Sequence, residues 1–579
     1  MTWRDAYCGD LRAEDVGRAV TVAGWVSRRR DHGGLVFVDL RDSAGVCQLV
    51  INPEHAAEAH AAAHEIRNEF VVQASGEVAR RAPDAVNPNL PTGEVEIQVT
   101  DLKILSRSTI LPFQLDEENV DETLRLRYRW LDLRRPKLQR NIRLRGQMVG
   151  VIRRVMEEAG FVDIQTPILW KPTPEGARDF LVPARLQPSR FYALPQSPQI
   201  AKQLLVIANF ERYYQIAICF RDEDLRADRV QEITQLDVEM AFPDVDYIHA
   251  LMETMVQAVW RECLGIEVEV PFDRMTFAEA DARFGSDKPD RRFALELQDA
   301  TEVTRGSRFE VFARADAVRF ITVPQEFSRA ELQELESFAK EWGAKGLAYA
   351  ITGQDGAVRS PILKFLSEGE LELVKPPPGS TALFAADTWE MTSRVLAALR
   401  LELAKRLGLI DEGRFDFVWV EEMPMFEWDE QEQRWTAVHH PFTRPSQAWE
   451  ERFDQDPRNA SAVAYDLVAN GNEIGGGSLR IHEPEMQARV FDLLQISPDE
   501  QRAKFGFLLD ALAMGAPPHG GIAFGIDRMV MVLAGEPNLR DTIAFPKNQA
   551  GVDPMTGAPS EAPQEQLDEL GISLREPTA

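Results

Sequence analysis

Cysteine is scarce: the 579-residue chain has four, Cys8, Cys47, Cys219 and Cys263, far apart and with no Cys-x-x-Cys pair. That spacing disfavours both a disulfide framework and a zinc site. Long apolar runs are missing too. The best stretch, Gly521 to Gly535, is interrupted by Asp527 and Arg528 and falls short of the ~20 residues that cross a bilayer. Met1-Thr2-Trp3-Arg4-Asp5 lacks the apolar core of a signal peptide, so the expected location is cytoplasmic, with no membrane partner. Positive charge is in deficit, 65 Lys+Arg against 93 Asp+Glu, a net −28. Such a balance argues against indiscriminate nucleic-acid binding. Two nucleotide signatures are also absent: the Gly-x4-Gly-Lys-Ser/Thr phosphate loop and a Gly-x-Gly-x-x-Gly turn. A nucleotide enzyme without them must grip phosphates with side chains, chiefly the planar fork of arginine.

What is present reads as a folded protein of several domains, 44% apolar and 8% aromatic. Val20–Val26, Leu35–Leu40, Val46–Ile51, Phe70–Val78 and Val95–Val99 are short β-rich runs, with a helical stretch, Glu54–Arg67, between the third and fourth. This is the element order of an OB-fold, whose open face often binds single-stranded nucleic acid; another small barrel fits the same count. Pro112–Asp121 reads as an acidic linker. Between Arg125 and Arg154 stand eleven Lys/Arg and one acid, Asp132. Such a run is either a solvated helix face or a stripe for a phosphate backbone. Asn141–Glu158 has helical spacing and ends at Gly160, Phe161–Pro167 reads as a strand, and strands recur at Phe191–Leu194, Tyr213–Phe220 and Gln235–Met240. An antiparallel sheet with packed helices is the expected layout. From about Phe284 to Val418 reactive clusters vanish, as in an inserted domain.

Chemistry concentrates in scattered fragments. Phe220-Arg221-Asp222-Glu223 ends one strand, and Gln235 to Met240 alternates apolar with acidic residues. Asp466 and Glu473 precede Gly475-Gly476-Gly477-Ser478-Leu479-Arg480. Gly525-Ile526-Asp527-Arg528 opens a helix after His519-Gly520-Gly521, read as a glycine-rich turn. Singly, these are ordinary salt bridges and tight turns. Together and in this order they resemble the class II aminoacyl-tRNA synthetases. Gly160–Pro167 is similar to motif 1, Phe220–Glu223 with its loop and next strand to motif 2, and Gly525–Arg528 to motif 3. The stretches TPEGARDFLVP (173–183), FYALPQSPQ (191–199), RDEDLRADR (221–229), HHPFT (439–443), GGGSLRIH (475–482) and FGFLLDAL (505–512) resemble those of the bacterial-type aspartyl-tRNA synthetases, along nearly the whole chain.

The resemblance implies an α+β multidomain fold: an OB-fold anticodon-binding domain (1–106), a linker or hinge (107–138), a class II antiparallel-sheet catalytic domain in two halves (139–292 and 413–550), an inserted α+β domain (293–412) and a C-terminal extension (551–579). It implies ATP-dependent joining of L-aspartate to tRNA(Asp) through aspartyl-adenylate, with Mg²⁺ as cofactor and a homodimer built on motif 1. Arg221, Glu223 and Arg528 take catalytic roles. Glu175, Ser197, Gln199, Lys202, Arg221, Asp237, His439 and Arg480 bind aspartate, with Lys202 and Arg480 as the fixed cations for its side-chain carboxylate. Arg221, Asp222, Glu223, Glu473, Gly525, Ile526, Asp527 and Arg528 bind ATP. Asp466 and Glu473 hold the metal. Arg28, Arg30, His32, Phe37 and Gln48 read the anticodon, Phe37 by stacking.

Three departures stand out. Ile233 occupies the motif 2 position where a phenylalanine usually stacks on adenine, and Val230-Gln231 replaces the common Gln-Pro. Gln199-Ile200-Ala201-Lys202 has smaller neighbours than usual. His32 stands where strictly selective members often carry leucine; histidine occurs in relaxed members that also charge tRNA(Asn), which makes tRNA(Asn) an alternative acceptor. A synthetase-like ligase and a catalytically dead RNA-binding relative are the competing readings. The intact anticodon-type barrel speaks against the first, and retention of Arg221, Glu223, Asp466, Glu473 and Arg528 against the second.

Overall fold

Period-2 alternation in the first hundred residues closes a barrel. In the computed structural model, which describes residues 3–172, 177–223, 225 and 229–575, strands β1 (Ala19–His32), β2 (Leu35–Arg41), β3 (Val46–Ile51), β4 (Val71–Arg80) and β5 (Val95–Ser106) close in the order β1-β2-β3-β5-β4, with helix α1 (Ala57–Glu65) between β3 and β4. Val20, Val22, Val26, Val36, Val38 and Leu40 point inward and are buried, each worth ~1.5–3 kcal/mol relative to exposure. The β1–β2 hairpin turns on Gly33 and Gly34, at φ +60° and +84°. Two successive positive φ values make a tight primed turn that glycine enters without strain.

This barrel forms one unit, Met1–Val120, and the rest of the chain another, Asp121–Ala579. The second unit begins with helices at Glu122–Arg127 and Arg129–Asp132, so the stretch expected to be linker up to residue 138 is packed structure from Asp121 onward. Arg129 shows why. Its buried guanidinium donates to the carbonyls of Arg540 (2.8 Å), Ile543 (2.9 Å) and Ala544 (2.9 Å), and to Asp132 (2.7 Å).

An eight-stranded sheet organises this unit. Its members are β6 (Val162–Asp163), β7 (Arg212–Phe220), β8 (Glu232–Ala241), β9 (Asp273–Thr276), β10 (Phe417–Glu421), β11 (Ala464–Ala469), β12 (Asn472–Leu479) and β13 (His519–Gly525), in the order β9-β10-β11-β12-β13-β8-β7-β6. Pairing is antiparallel except at the edges, where β9–β10 and β6–β7 are parallel. Helices α2 (Pro136–Glu158), α3 (Gln199–Ile207), α4 (Val245–Leu264) and α5 (Ile526–Ala534) serve different sides. The core joins Met148, Ile152 and Met156 of α2, Met252, Val256 and Trp260 of α4, and Ile526, Met529 and Val530 of α5 to Leu236, Val238, Trp419, Leu467, Ile522 and Phe524 of the sheet. Leu236 and Val238 face this core, so alternation turns Gln235, Asp237 and Glu239 to the opposite face.

The glycine runs are strand residues, not turns. A Cβ on Gly477 would lie 2.2 Å from the Gly521 carbonyl oxygen, and one on Gly521 would lie 2.0 Å from that of Val238. Glycine is needed because the backbones pack too closely for a side chain. The segment Leu297–Arg406 carries its own five-stranded sheet, with helices Arg329–Glu341 and Trp389–Arg406 on one face. It is tied down by Arg319, which donates to the last-turn carbonyls of helix Phe277–Phe284 at Asp281 and Ala282, 2.7 Å each. Arg400 adds bonds to the carbonyls of Leu295 and Asp290.

The Arg125–Arg154 run is not a free basic stripe. Arg125, Arg129 and Arg135 converge on Asp132; Lys137 and Arg140 pair with Glu536; Arg145 with Asp527; Arg153 with Asp163; Arg154 with Glu158 and Glu262. Acids distant in sequence neutralise what the local count presents as positive. All four cysteines are free, and no helix among the described residues is long and apolar enough to cross a membrane.

Candidate functional site

On the face of β8 opposite the core lies a pocket of about 140 Å³, lined by Ser197, Gln199 and Lys202 from the start of α3, Arg221 after β7, Gln235 and Asp237 of β8, His439, His440, the Gly476–Ser478 stretch, Arg480 and Ala523. Lys202 Nζ is 3.0 Å from Asp237 Oδ1 and 3.4 Å from Glu239 Oε2. Arg480 donates to both Glu239 oxygens, from Nε at 2.9 Å and from Nη2 at 3.0 Å. Its Nη1 donates to Ser478 Oγ at 2.6 Å and His440 Nε2 at 2.8 Å. The two cations and two carboxylates are all buried. Such a network persists because each charge is paired.

The network shows how Arg480 is engaged. Arg480 does not hold an open fork toward the cavity: Glu239 occupies its bidentate edge, leaving one Nη2–H for a ligand. Glu239 was not among the expected site residues; the acidic alternation along Gln235–Met240 was its signal. His439 does not brace the arginine either. His440 does, with Nε2 2.8 Å from Arg480 Nη1, while its Nδ1 lies 3.2 Å from the Phe442 amide nitrogen and 3.3 Å from Thr443 Oγ1. Burial, with Arg480 and His439 nearby, holds His440 well below the usual histidine range.

Two buried polar atoms on pocket-lining residues lack partners among the described residues: Asp237 Oδ2 and His439 Nε2. An unsatisfied buried acceptor costs ~1–3 kcal/mol, so a ligand with a matching donor is stabilised there. Burial pushes the Asp237 carboxyl up and Lys202 opposes it. For Glu239, Arg480 and Lys202 outweigh burial and hold it below the usual range. Arg221 has no salt-bridge partner among the described residues. The pocket thus suits a small zwitterion with an acidic side chain.

Next to it, Asp466 and Glu473 converge over Gly476. A Cβ there would lie 2.5 Å from Asp466 Oδ1 and 3.5 Å from Glu473 Oε1. Burial, then Glu473 and Asp287, pushes the Asp466 carboxyl well up. Two hard oxygen donors under mutual repulsion fit a divalent cation such as Mg²⁺. Lys288 stands 3.7 Å from Glu473 Oε2. Neither Asp287 nor Lys288 was expected, because they lie in a stretch poor in local clusters. Arg528 donates to the Glu473 carbonyl at 2.6 Å and stays partly exposed. Ile526 and Asp527 do not present side chains to a nucleotide. Ile526 is in the core, and Asp527 accepts from Arg145 and from the Thr234 amide at 2.8 Å. They position motif 3 against β8.

Ser197 Oγ accepts from the Gln199 amide at 3.1 Å. Asp222 is bridged through its backbone to Arg178, and Glu223 pairs with Arg229 at 3.1 Å. Ile233 falls on the same face of β8 as Gln235 and Asp237. Glu175 lies outside the described residues.

On the barrel, Phe37 is half-buried between buried Val36 and Val38 and pairs in register with Arg30. Arg28 is exposed, and His32 is exposed at the hairpin tip. Arg30 donates to Asp39 (3.0 Å) and Gln48 Oε1 (3.3 Å), and Gln48 Nε2 donates to Glu96 (3.0 Å). Gln48 is only 8% exposed. It links Arg30 to Glu96, a residue the local pattern did not reveal.

Residues 121–549 match the family described as tRNA synthetases class II (D, K and N), and residues 20–105 match the OB-fold nucleic acid binding domain. The chain is 49% identical over 582 residues to the aspartate–tRNA(Asp/Asn) ligase of Caldanaerobacter subterraneus subsp. tengcongensis, covering 99% of this chain and 98% of the relative. It is 51% identical over 587 residues to the ligase of the same name from Symbiobacterium thermophilum, covering 98% and 99%. Its fold is similar to that of asparaginyl-tRNA synthetase from Pyrococcus horikoshii complexed with asparaginyl-adenylate, at TM-score 0.60 and 19% identity over 93% of this chain and 97% of that one. A similar match is aspartyl tRNA synthetase from Entamoeba histolytica, at TM-score 0.56 and 18% identity over 93% and 90%.

Proposed function

The chain belongs to the class II tRNA synthetases of the D, K and N group, and from that membership we propose that it joins L-aspartate to tRNA through aspartyl-adenylate. An α-carboxylate oxygen of aspartate attacks the α-phosphorus of ATP, and pyrophosphate leaves. A hydroxyl of the terminal adenosine of tRNA then attacks the activated carbonyl, and AMP leaves. The observation that carries this reading is the buried Lys202–Asp237–Glu239–Arg480 network beside the unsatisfied Asp237 Oδ2. Lys202 and the remaining Arg480 N–H meet the aspartate side chain, and Asp237 Oδ2 accepts from its ammonium group.

Catalysis here is positioning and charge neutralisation, since in-line phosphoryl transfer needs no side-chain nucleophile. Arg221, without a salt-bridge partner among the described residues, reaches the α-phosphate and the attacking carboxylate. Arg528 stacks on adenine and meets the distal phosphates. Asp466 and Glu473 would hold Mg²⁺, which supplies further neutralisation of the phosphates when bound. The barrel unit reads the anticodon through Phe37, Arg28 and Arg30, and His32 at the hairpin tip favours acceptance of tRNA(Asn) beside tRNA(Asp). The working form is a cytoplasmic homodimer joined at motif 1.

Charging of purified tRNA(Asp) and tRNA(Asn) with labelled aspartate tests the reading. Both acceptors are expected to be charged. Failure with both sinks the proposal, and failure with tRNA(Asn) alone removes the role of His32.

A further inference from the structure

Behind the pocket wall, three side chains form a one-way series of hydrogen bonds. His519, the first residue of β13, brings Nδ1 to 2.8 Å from the Pro517 carbonyl oxygen. A carbonyl oxygen can only accept, so Nδ1 carries the ring proton. Burial lowers the basicity of His519, Arg480 and His482 add to that, and Glu239 and the Pro517 bond oppose it without reversing it, so Nε2 stays bare. Gln203 Nε2 lies 3.0 Å from that bare nitrogen and donates to it. Gln203 Oε1 is thereby turned to Gln199, accepting from its Nε2 at 3.1 Å. All three side chains are buried. A backbone carbonyl that cannot flip therefore sets the direction of each amide in turn. With Nε2 committed, Gln199 is left with Oε1 for the pocket it lines, and that atom has no partner among the described residues.

We infer that Gln203 and His519 are positioning residues, whose hydrogen bonds from the Pro517 carbonyl lock Gln199 with its oxygen toward the substrate's ammonium group. The reversed amide would aim N–H groups at a cation. This inference rests on the aspartate-binding role proposed above.

The test is aspartate-dependent pyrophosphate exchange, with KM measured separately for aspartate and ATP, in Gln203→Met and Gln203→Glu. Methionine keeps the volume and removes both polar atoms. Glutamate keeps an acceptor toward Gln199 and draws a proton onto His519 Nε2. Q203M is expected to raise the aspartate KM about tenfold or more, the scale of one oriented hydrogen bond to a charged group, with the ATP KM unchanged. Q203E is expected to return the aspartate KM to within about threefold of wild type. Nitrogen-15 histidine spectra should show His519 protonated at Nδ1 alone in wild type and at both nitrogens in Q203E. An aspartate KM in Q203M within about twofold of wild type, an ATP KM rising in step, or a Q203E no better than Q203M overturns the inference. A wild-type chain silent with aspartate overturns the functional reading and this inference with it, whereas an active wild type with unresponsive variants overturns the inference alone.

Discussion

Arg480 donates to Glu239, Ser478 and His440 at once, so Arg480→Leu both removes the proposed substrate contact and leaves Glu239 with Lys202 as its one salt-bridge partner among the described residues. Loss of a buried partner costs ~3–5 kcal/mol. R480L is expected to lose aspartate-dependent pyrophosphate exchange and to unfold at lower urea. The double variant R480L/E239L should regain most of the stability and none of the exchange; restored exchange would remove Arg480 from substrate binding. Ile233 is a second case. An aliphatic side chain covers a purine by dispersion but offers no ring face, so Ile233→Phe should lower the KM for ATP and leave that for aspartate unchanged; an unchanged or higher ATP KM counts against the role. At this scale the sequence revealed which residue types gather in the pocket. It did not reveal their partners. Arg480 was legible as a cation, but its bond to Glu239 joins residues 241 positions apart, and only the sheet brings them together.

Strand β8 shows how an element divides its labour: Leu236 and Val238 enter the core while Asp237 lines the pocket and Glu239, on the same face, pairs with Lys202 and Arg480. That division was readable from alternation alone. The strand character of Gly475–Gly477 was not, because the need for glycine comes from neighbouring backbones. Helix α4 carries a further consequence. Its buried His249 stacks on Trp419 of β10, centroids 3.8 Å apart, and meets Tyr465 of β11 edge-on. Burial, then Arg274, lowers the ring to about 3, although Asp246 opposes the shift. In the unfolded chain the same ring takes up a proton near pH 6.5. Stability is therefore unaffected above that pH. It falls as the pH drops from about 6.5 toward 3, by up to ~1.4 kcal/mol per pH unit from this ring alone. His249→Phe keeps the stack and removes the titration, so denaturation midpoints between pH 7 and 4 should fall less steeply in the variant; parallel acid limbs would exclude His249 as a source of acid sensitivity.

Across the whole molecule the deficit of positive charge holds locally as well. The barrel stretch Met1–Ile104 carries 11 Lys/Arg against 16 Asp/Glu, and most of the basic run that stood out in sequence is engaged in internal ion pairs. Under the proposed function, tRNA contact rests on few residues, such as Arg28 and Phe37, rather than on a broadly basic surface. The sheet of the second unit ends at β6, an edge strand whose Val162 is 49% exposed. Apolar edges of this kind favour pairing with another chain. Sedimentation should find a dimer of 65.3 kDa chains, and Val162→Asp should shift it to single chains; an unshifted dimer would place the interface elsewhere.

The sequence by itself determined the barrel and the antiparallel sheet, and its resemblance to the synthetases pointed to many of the residues that line the pocket. The barrel and the sheet follow from periodicity, and the pocket residues from the motifs that carry the resemblance. Tertiary structure alone decided which charges are spent and which are free. Pairing of Arg480 with Glu239, cancellation of the Arg125–Arg154 run by Glu536, Asp527 and Asp541, and the direction of Gln199 all depend on distances between residues remote in sequence. Electrostatic energy falls with separation and rises with burial, and neither quantity is written in the order of the residues.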